Sequence, residues 1–370
     1  MKVLQICQRD DLATGGAARV AVEYTRKLAA NGVDSSCVFV YGEEGAFSSE
    51  LPGQCFHLGL RSSRDAAGGV ARLRRLIGRQ GFDLLHHHDG LIWTHLVTRS
   101  LRGRILRVGH GHLSPPPRQA SWRNRLACHL QAHTYDHLVA VSEATRRDWV
   151  DAGFPTERTS VIPNGIDLVR FRVATPAERE GVRAQWHIRG DETIVGWVGR
   201  LDSAMKGCPE FIDLIADLPT NYLGILAGDG PDRISLEQYA RDRGVANRLR
   251  FLGTVDPASV VYPGLDLFAM TSRYEPFGLV LLEAAASGLP IVMIPGSGGS
   301  LELGRRLGAT ILSDRCPSAF AAAVASLATD PAHRNRQACE EVLREYSWES
   351  SAARLADLYR HLCPPSAHQV

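Results

Sequence analysis

RYEPFGLVLLEAAASGLPIVMIP, residues 273–295, is the stretch on which the fold turns. Gly288 and Pro290 separate its two apolar runs. The first, LVLLEAAAS, is read as a helix entered through Pro276, Phe277 and Gly278 and ended by Gly288. The second, PIVMIP, is short, Val/Ile-rich and bounded by prolines, which reads as a buried strand. Two carboxylates bracket the helix, Glu275 and Glu283, and Glu283 stands where a buried helix should carry Leu or Ala.

Working outward, the same alternation repeats. KVLQIC, SSCVFVY, DLLHHH, RILRVGH, HLVAVS and SVIP read as strands in the first half, and TIVGWVG, YLGILAG, LRFLG, LDLFAMT and PIVMIP in the second. Helical patterns separate most of them; ARVAVEYTRKLAANG ends on Gly32 as a C-terminal stop. Alternating β and α elements with apolar strands imply parallel sheets covered on both faces. The series restarts near residue 190, after the polar passage IDLVRFRVATPAEREGVRAQWHIRGD, read as a crossover linker with a short helix. The expected fold is therefore α/β, with two doubly wound Rossmann-like domains facing a cleft. They span residues 1–170 and 171–345, and a last helix, 346–363, leans back on the first domain.

Composition bounds the rest. A chain of 370 residues exceeds a usual single core and suits two domains. A net charge of +2 argues against a bulk nucleic-acid binder. Eight cysteines without any CxxC pair read as reduced thiols. No leader pattern and no long apolar run occur, so a cytoplasmic protein without a membrane span is expected.

The chemistry gathers where strands end. After TIVGWVG come Arg200 and then Lys206, a guanidinium fork and a flexible ammonium that suit a diphosphate, or else two ordinary surface cations. GDGP at 228–231 follows another strand as a tight turn that lets backbone approach a ligand. The helix after Gly278 offers first-turn N–H groups to an anion. Glu283 lies just over a turn inside, and helical side chains lean toward the N-terminus. A buried carboxylate needs donors, supplied by ribose hydroxyls or by a neighbouring arginine. Glu275 has the bland reading of an acidic residue near a helix N-terminus. In the first half, Gly15 and Gly16 precede a helix without forming the GxGxxG fingerprint of nicotinamide enzymes. HHHD at 86–89, GHGH at 109–112 and a helical spacing of His129, His133 and His137 raise a metal site, but without HExxH the preferred reading is strand-end contacts and a polar helix face.

Taken together, Glu275 and Glu283 resemble the E-x7-E signature of retaining glycosyltransferases of family 4, which have the GT-B fold. The likeness runs along nearly the whole chain: GGAARVAVEYTRKLAANG, VAVSEATRRDWV, VIPNGID with Phe171, GWVGRL with Lys206-Gly207, AGDGPDRISLEQYA, RLRFLGTV and GGSLE follow in the family's order. After GGSLE the family's glycine-containing hairpin is replaced by RRLGATILSD. The resemblance implies transfer of a hexose-type sugar from a nucleoside-diphosphate donor to a hydroxyl acceptor, with retention. It implies that Arg200 and Lys206 hold the diphosphate, Glu283 the ribose and Glu275 the sugar. It puts the backbone of Phe277, Gly278 and Leu279 on sugar and phosphate, Gly253, Thr254 and Val255 beside the base, and Gly16 over the diphosphate from across the cleft. His110 is placed beside the donor sugar, with His112 its competitor.

The reaction expected is front-face attack, without a carboxylate nucleophile such as retaining hydrolases use. The chain holds no DxD, the metal clamp of the other glycosyltransferase architecture, so neither a cofactor nor an obligatory metal is expected. UDP-linked donors come first and GDP-linked second, and the acceptor is a glycan, lipid-linked glycan or small molecule. Its pocket is expected near residues 10–16, 86–95 and 112–122. LSPPPRQASWRNR, with Trp122, Arg118, Arg123 and Arg125, and GVARLRRLIGRQ would touch the inner face of an anionic membrane, or else form a plain exposed basic surface. Two other readings share the architecture: a nucleotide-sugar 2-epimerase and a nucleotide-sugar-binding protein without catalysis.

Overall fold

A computed structural model describes residues 1–11, 16–88, 92–101, 104–115, 133–188, 190, 192–329 and 336–364. The chain divides into two compact units, Met1–Gly165 with Trp348–Val370, and Ile166–Ser347. Each is a parallel sheet with helices on its faces.

The first sheet contains β1 (Lys2–Arg9), β2 (Asp34–Tyr41), β3 (Cys55–Leu60), β4 (Leu84–His87), β5 (Leu106–Gly111), β6 (His137–Ala140) and β7 (Thr159–Val161), in the order β3-β2-β1-β4-β5-β6-β7. Period two sorts β1 between two cores. Leu4 and Ile6 pack with Val38, Val40, Leu73 and Ile77. Cys7 packs with Ala18, Ala21, Val22, Cys37 and Phe39. The helix Trp348–Leu362 buries Trp348, Ala352, Leu355, Ala356 and Tyr359. That stripe meets the helix Gly16–Leu28, where Tyr24 lies edge-on to Trp348 and Lys27 Nζ reaches Glu349 Oε1 at 2.6 Å.

The second sheet contains β8 (Thr193–Val198), β9 (Tyr222–Ala227), β10 (Leu249–Gly253), β11 (Leu267–Met270), β12 (Ile291–Met293) and β13 (Thr310–Ile311), in the order β10-β9-β8-β11-β12-β13. Its main core joins Val195, Trp197, Phe211, Ile215, Leu226, Phe320 and Val324. Full burial of each such side chain stabilises by about 1.5–3 kcal/mol. The helix Pro176–Gln185 lies before β8 and starts in a capping box between Thr175 and Glu178.

Three expectations change. β3 and β13 escaped the sequence reading, because β3 is interrupted by Gly59 at φ 61° and β13 is two residues long. His137 does not continue a helical histidine series; it opens β6 and its Nε2 meets Ser160 Oγ at 2.9 Å. GGSLE itself opens the helix Ser300–Arg306, and β13 follows. Among the described residues no helix is long and apolar enough to cross a membrane.

Candidate functional site

In the second sheet β9 and β10 extend to one side of β8, and β11 to β13 to the other. Strand order therefore reverses between β8 and β11, the place where open α/β sheets bind ligands beyond their carboxyl ends. Arg200 lies just past β8, exposed, with no side-chain partner among the described residues. The loop continues into a single helical turn, Ser203–Lys206, capped by Asp202, which accepts the Met205 N–H at 3.2 Å. Gly207 ends that turn at φ 61°, and a Cβ there would stand 2.2 Å from Thr271 O. Glycine is thus required for the Lys206 turn to lie against the end of β11. Met205 O accepts the N–H groups of Arg273 and Tyr274 at 2.8 and 3.1 Å.

This seam brings Lys206 Nζ into an ion pair with Glu275 Oε2. The side chains are 22% and 13% exposed, so the pair is partly desolvated. Glu275 is fixed through its backbone too, its N–H donating to Ser297 O at 2.9 Å. Arg315 braces the same strand ends, donating to Thr271 O at 2.8 Å, Pro295 O at 2.6 Å and Glu210 Oε1 at 2.9 Å. Its side chain escaped the sequence reading, since Arg315 directly follows the stretch that departs from the family pattern.

Gly278 stands at φ 98° as the N-cap of the helix Leu279–Ala286. No side chain caps this end, which suits it to an anion. Phe277 is buried, 5.9 Å from the Tyr346 ring. Glu283 lies on the same helix and accepts a hydrogen bond from the Tyr262 hydroxyl. Tyr262 is 1% exposed, and burial, followed by the Glu283 carboxylate, pushes its hydroxyl well above the usual range. Phe171 packs edge-on against Tyr262 at 5.7 Å. The donor given to Glu283 here is thus a tyrosine from a distant loop, and nothing in VVYPGLD marks that role in the sequence.

Gly253 closes β10 at φ 72°, and its carbonyl accepts the Gly228 N–H at 2.8 Å. Thr254 is exposed and Val255 half-buried. The glycines of GDGP answer a packing need: a Cβ would stand 1.8 Å from Gly199 O at Gly228, and 2.4 Å from Leu201 O at Gly230. The structure thus gathers Lys206, Glu275 and Gly278 closely, anchors Glu283 on the same helix as Gly278, and leaves Arg200 at the adjacent strand end.

In the first sheet the order reverses between β1 and β4. Gly16 is exposed and opens the helix Gly16–Leu28. Gly15, His129, Arg118, Trp122, Arg123 and Arg125 lie outside the described residues. Asp10, at the end of β1, is taken up by the chain itself: its carboxylate accepts from the N–H groups of Gly45 and Phe47 at 2.8 and 2.7 Å. Burial alone would raise the Asp10 carboxyl, but bonds from Ser48, His57, Gly45 and Phe47 hold it below its usual value.

Four imidazoles, His86, His88, His110 and His112, stack at these strand ends, with adjacent centroids 4.2–5.1 Å apart. Burial, then neighbouring imidazoles, holds His86, His88 and His110 well below the usual histidine range, and burial takes His112 down to about 3. His110 lies within β5 and its Nε2 is buried without a partner, whereas His112 Nε2 meets His88 Nδ1 at 2.9 Å. Single nitrogens of His86, His88 and His110 lie within 4.8 Å of one another. A dication there would compete with hydrogen bonds to Tyr359, Gln5 and His112.

The chain is similar to known proteins in sequence and in fold. Residues 14–170 match the family described as Glycosyltransferase Family 4, and residues 178–341 match Glycosyl transferases group 1. The D-inositol 3-phosphate glycosyltransferase of Corynebacterium urealyticum is 27% identical over 86% of this chain and 78% of its own. The glycogen synthase of Mycobacterium tuberculosis is 28% identical over 75% and 68%. In three dimensions the chain is similar to Anabaena HepE, crystallised with UDP and glucose, at a TM-score of 0.84, 23% identity and coverage of 98% and 100%. It is also similar to the sucrose-phosphate synthase of Thermosynechococcus elongatus, at a TM-score of 0.80, 20% identity and coverage of 99% and 100%.

Proposed function

Since the chain is a glycosyltransferase of the GT-B fold, with a Family 4 segment followed by a group 1 segment, we propose that it moves a hexose-type sugar from a nucleoside diphosphate to a hydroxyl acceptor, with retention. The observation that carries this is the assembly of Lys206, Glu275 and Gly278 at the β8–β11 reversal, with Glu283 held on the same helix.

Each group has a task. Cleaving the sugar–phosphate bond loads charge onto the leaving diphosphate. Arg200, Lys206 and the helix end at Gly278 stabilise that charge as it develops, which is how a binding contact becomes catalytic. Glu275 steers the Lys206 ammonium and accepts from hydroxyls of the transferred sugar. Glu283, oriented by Tyr262, takes the ribose. Phe277 and Leu279 offer backbone to sugar and phosphate, Gly253, Thr254 and Val255 flank the base, and Gly16 contacts the diphosphate. His110 orients the donor sugar. The acceptor hydroxyl attacks the face the phosphate leaves, and the departing phosphate takes its proton. Arg200 and Lys206 supply the positive charge, so no cofactor or obligatory metal is needed.

UDP-linked donors are favoured, supported by the UDP and UDP-glucose bound to Anabaena HepE, with GDP-linked donors second. Peripheral contact with an anionic membrane surface is read from the helix Ala66–Gln80, where Arg72, Arg74, Arg75 and Arg79 are exposed. Salt-sensitive flotation with anionic liposomes supports that contact, and its absence removes it.

The test of function incubates the protein with a panel of nucleotide sugars, with and without glycan, lipid-linked and small-molecule acceptors. Acceptor-dependent nucleotide release with an α-configured product from an α-linked donor is expected. A new sugar isomer formed without acceptor would overturn transfer in favour of epimerisation; tight binding without turnover would leave a binding protein.

A further inference from the structure

The proton positions around His110 can be followed from a fixed end. Thr25 Oγ1 donates to the Ala21 carbonyl at 2.9 Å, and a carbonyl only accepts. The Ser35 hydroxyl therefore donates to Thr25 Oγ1 at 3.4 Å and accepts from the Gln5 amide N–H at 3.2 Å. That turns Gln5 Oε1 toward His88 Nε2 at 2.8 Å, so this nitrogen carries the proton. His88 Nδ1 is left as a lone pair and accepts from His112 Nε2–H at 2.9 Å. Gln5 and His86 are fully buried, and His88 and His110 are 7% and 8% exposed, so bulk water does not scramble these bonds.

A second branch starts on the helix Trp348–Leu362. The Tyr359 hydroxyl, fully buried, meets His86 Nδ1. A phenol is a stronger acid than a neutral imidazole N–H, and an imidazole nitrogen is a stronger base than a phenol oxygen, so the phenol donates. His86 must then hold its one proton on Nε2, which donates to His110 Nδ1 at 3.2 Å. His110 in turn holds its proton on Nε2, the buried nitrogen without a partner.

We infer that the C-terminal helix sets the tautomer of His110: Tyr359, acting through His86, keeps the proton on His110 Nε2, so this ring offers a donor to a ligand oxygen and is not a general base. Tyr359 and His86 are positioning residues. The neutrality the relay needs is secured by burial, which holds His86 and His110 well below the usual histidine range. The relay stands on the bonds just given; its bearing on turnover rests on the proposed contact between His110 and the donor sugar.

The test uses the full-length protein, labelled with nitrogen-15 histidine and ligand-free at neutral pH, read by two-bond proton–nitrogen correlation. His110 is assigned by its loss in His110→Gln. The expected wild-type pattern is a protonated Nε2 and a bare Nδ1 at His110. In Tyr359→Phe, confirmed folded by its melting curve, the His110 signals should move toward the Nδ1-protonated form. An Nδ1-protonated His110 in the wild type overturns the relay by itself, whether or not the variant folds, and so does a His110 tautomer unmoved by Tyr359→Phe. Release of UDP from UDP-glucose is then followed in the same variant. Turnover about five- to tenfold lower, with donor KM within about twofold, is expected for the loss of one aligned hydrogen bond. A shifted tautomer with unchanged turnover would keep the relay and remove His110 from the reaction.

Discussion

Glu283→Gln separates the two jobs of one carboxylate. The substitution preserves shape, and the amide oxygen can still accept from the Tyr262 hydroxyl, so folding stability should change by less than about 1 kcal/mol. Binding should respond more. A hydrogen bond to a charged group contributes about 1.5–3 kcal/mol, against about 1 for a neutral one. Weakening two ribose contacts by that difference, about 0.5–2 kcal/mol each, costs about 1–4 kcal/mol, or about 5- to 800-fold in affinity. Glu283→Leu should behave differently: it strands the hydroxyl of Tyr262, 1% exposed, and should cost about 1–3 kcal/mol of stability as well. Titration calorimetry with UDP, paired with denaturant unfolding of both variants, reads the two effects apart. An unchanged dissociation constant in folded Glu283→Gln would refute the ribose assignment.

Other outcomes follow from the same geometry. Arg200→Ala removes an exposed side chain with no partner among the described residues, so melting should be unchanged within about 0.5 kcal/mol while turnover at saturating donor falls; Lys206→Ala should lower both, because it strands the partly buried Glu275 carboxylate. Equal turnover to wild type in both variants would reject the diphosphate role. Gly278→Ala places a Cβ 3.2 Å from Leu281 Cδ1 at φ 98°, and should cost about 1–2 kcal/mol in urea unfolding; a neutral result would contradict the strained cap. The buried imidazoles predict acid lability. Their folded pKa values lie below the free value, about 4 for His95 and His137 and about 3 for His112, while His86, His88 and His110 are lowered well below it by burial first. The unfolded chain takes up these protons first as pH falls, so stability should be level above about pH 6.5 and fall toward pH 4, by up to about 1.4 kcal/mol per pH unit for each histidine. Melting temperatures independent of pH in that window would contradict their neutral burial.

The fold was legible because strand and helix periods differ. KVLQIC alternates between two cores, and LVLLEAAAS is apolar on every side, as a helix wedged among neighbours must be. β13 was invisible because two residues hold no period. Of the candidate site, Lys206, Glu275 and Glu283 could be singled out by type and position, but their protein partners could not. The Lys206–Glu275 contact spans two loops joined only by tertiary hydrogen bonds, and the Tyr262 donor comes from a turn with no local signal. His110 and His112 could not be told apart in GHGH. In the sheet each has one bonded nitrogen, His110 Nδ1 beside His86 Nε2 and His112 Nε2 beside His88 Nδ1, with His110 inside β5 and His112 just past it.

The most direct measurement is a crystal structure of the protein soaked with UDP-glucose. The diphosphate should lie between Arg200 and Lys206 against the turn at Gly278, with the pentose hydroxyls on Glu283. A nucleotide seated elsewhere, with Glu283 bound to protein alone, would contradict the donor site described here.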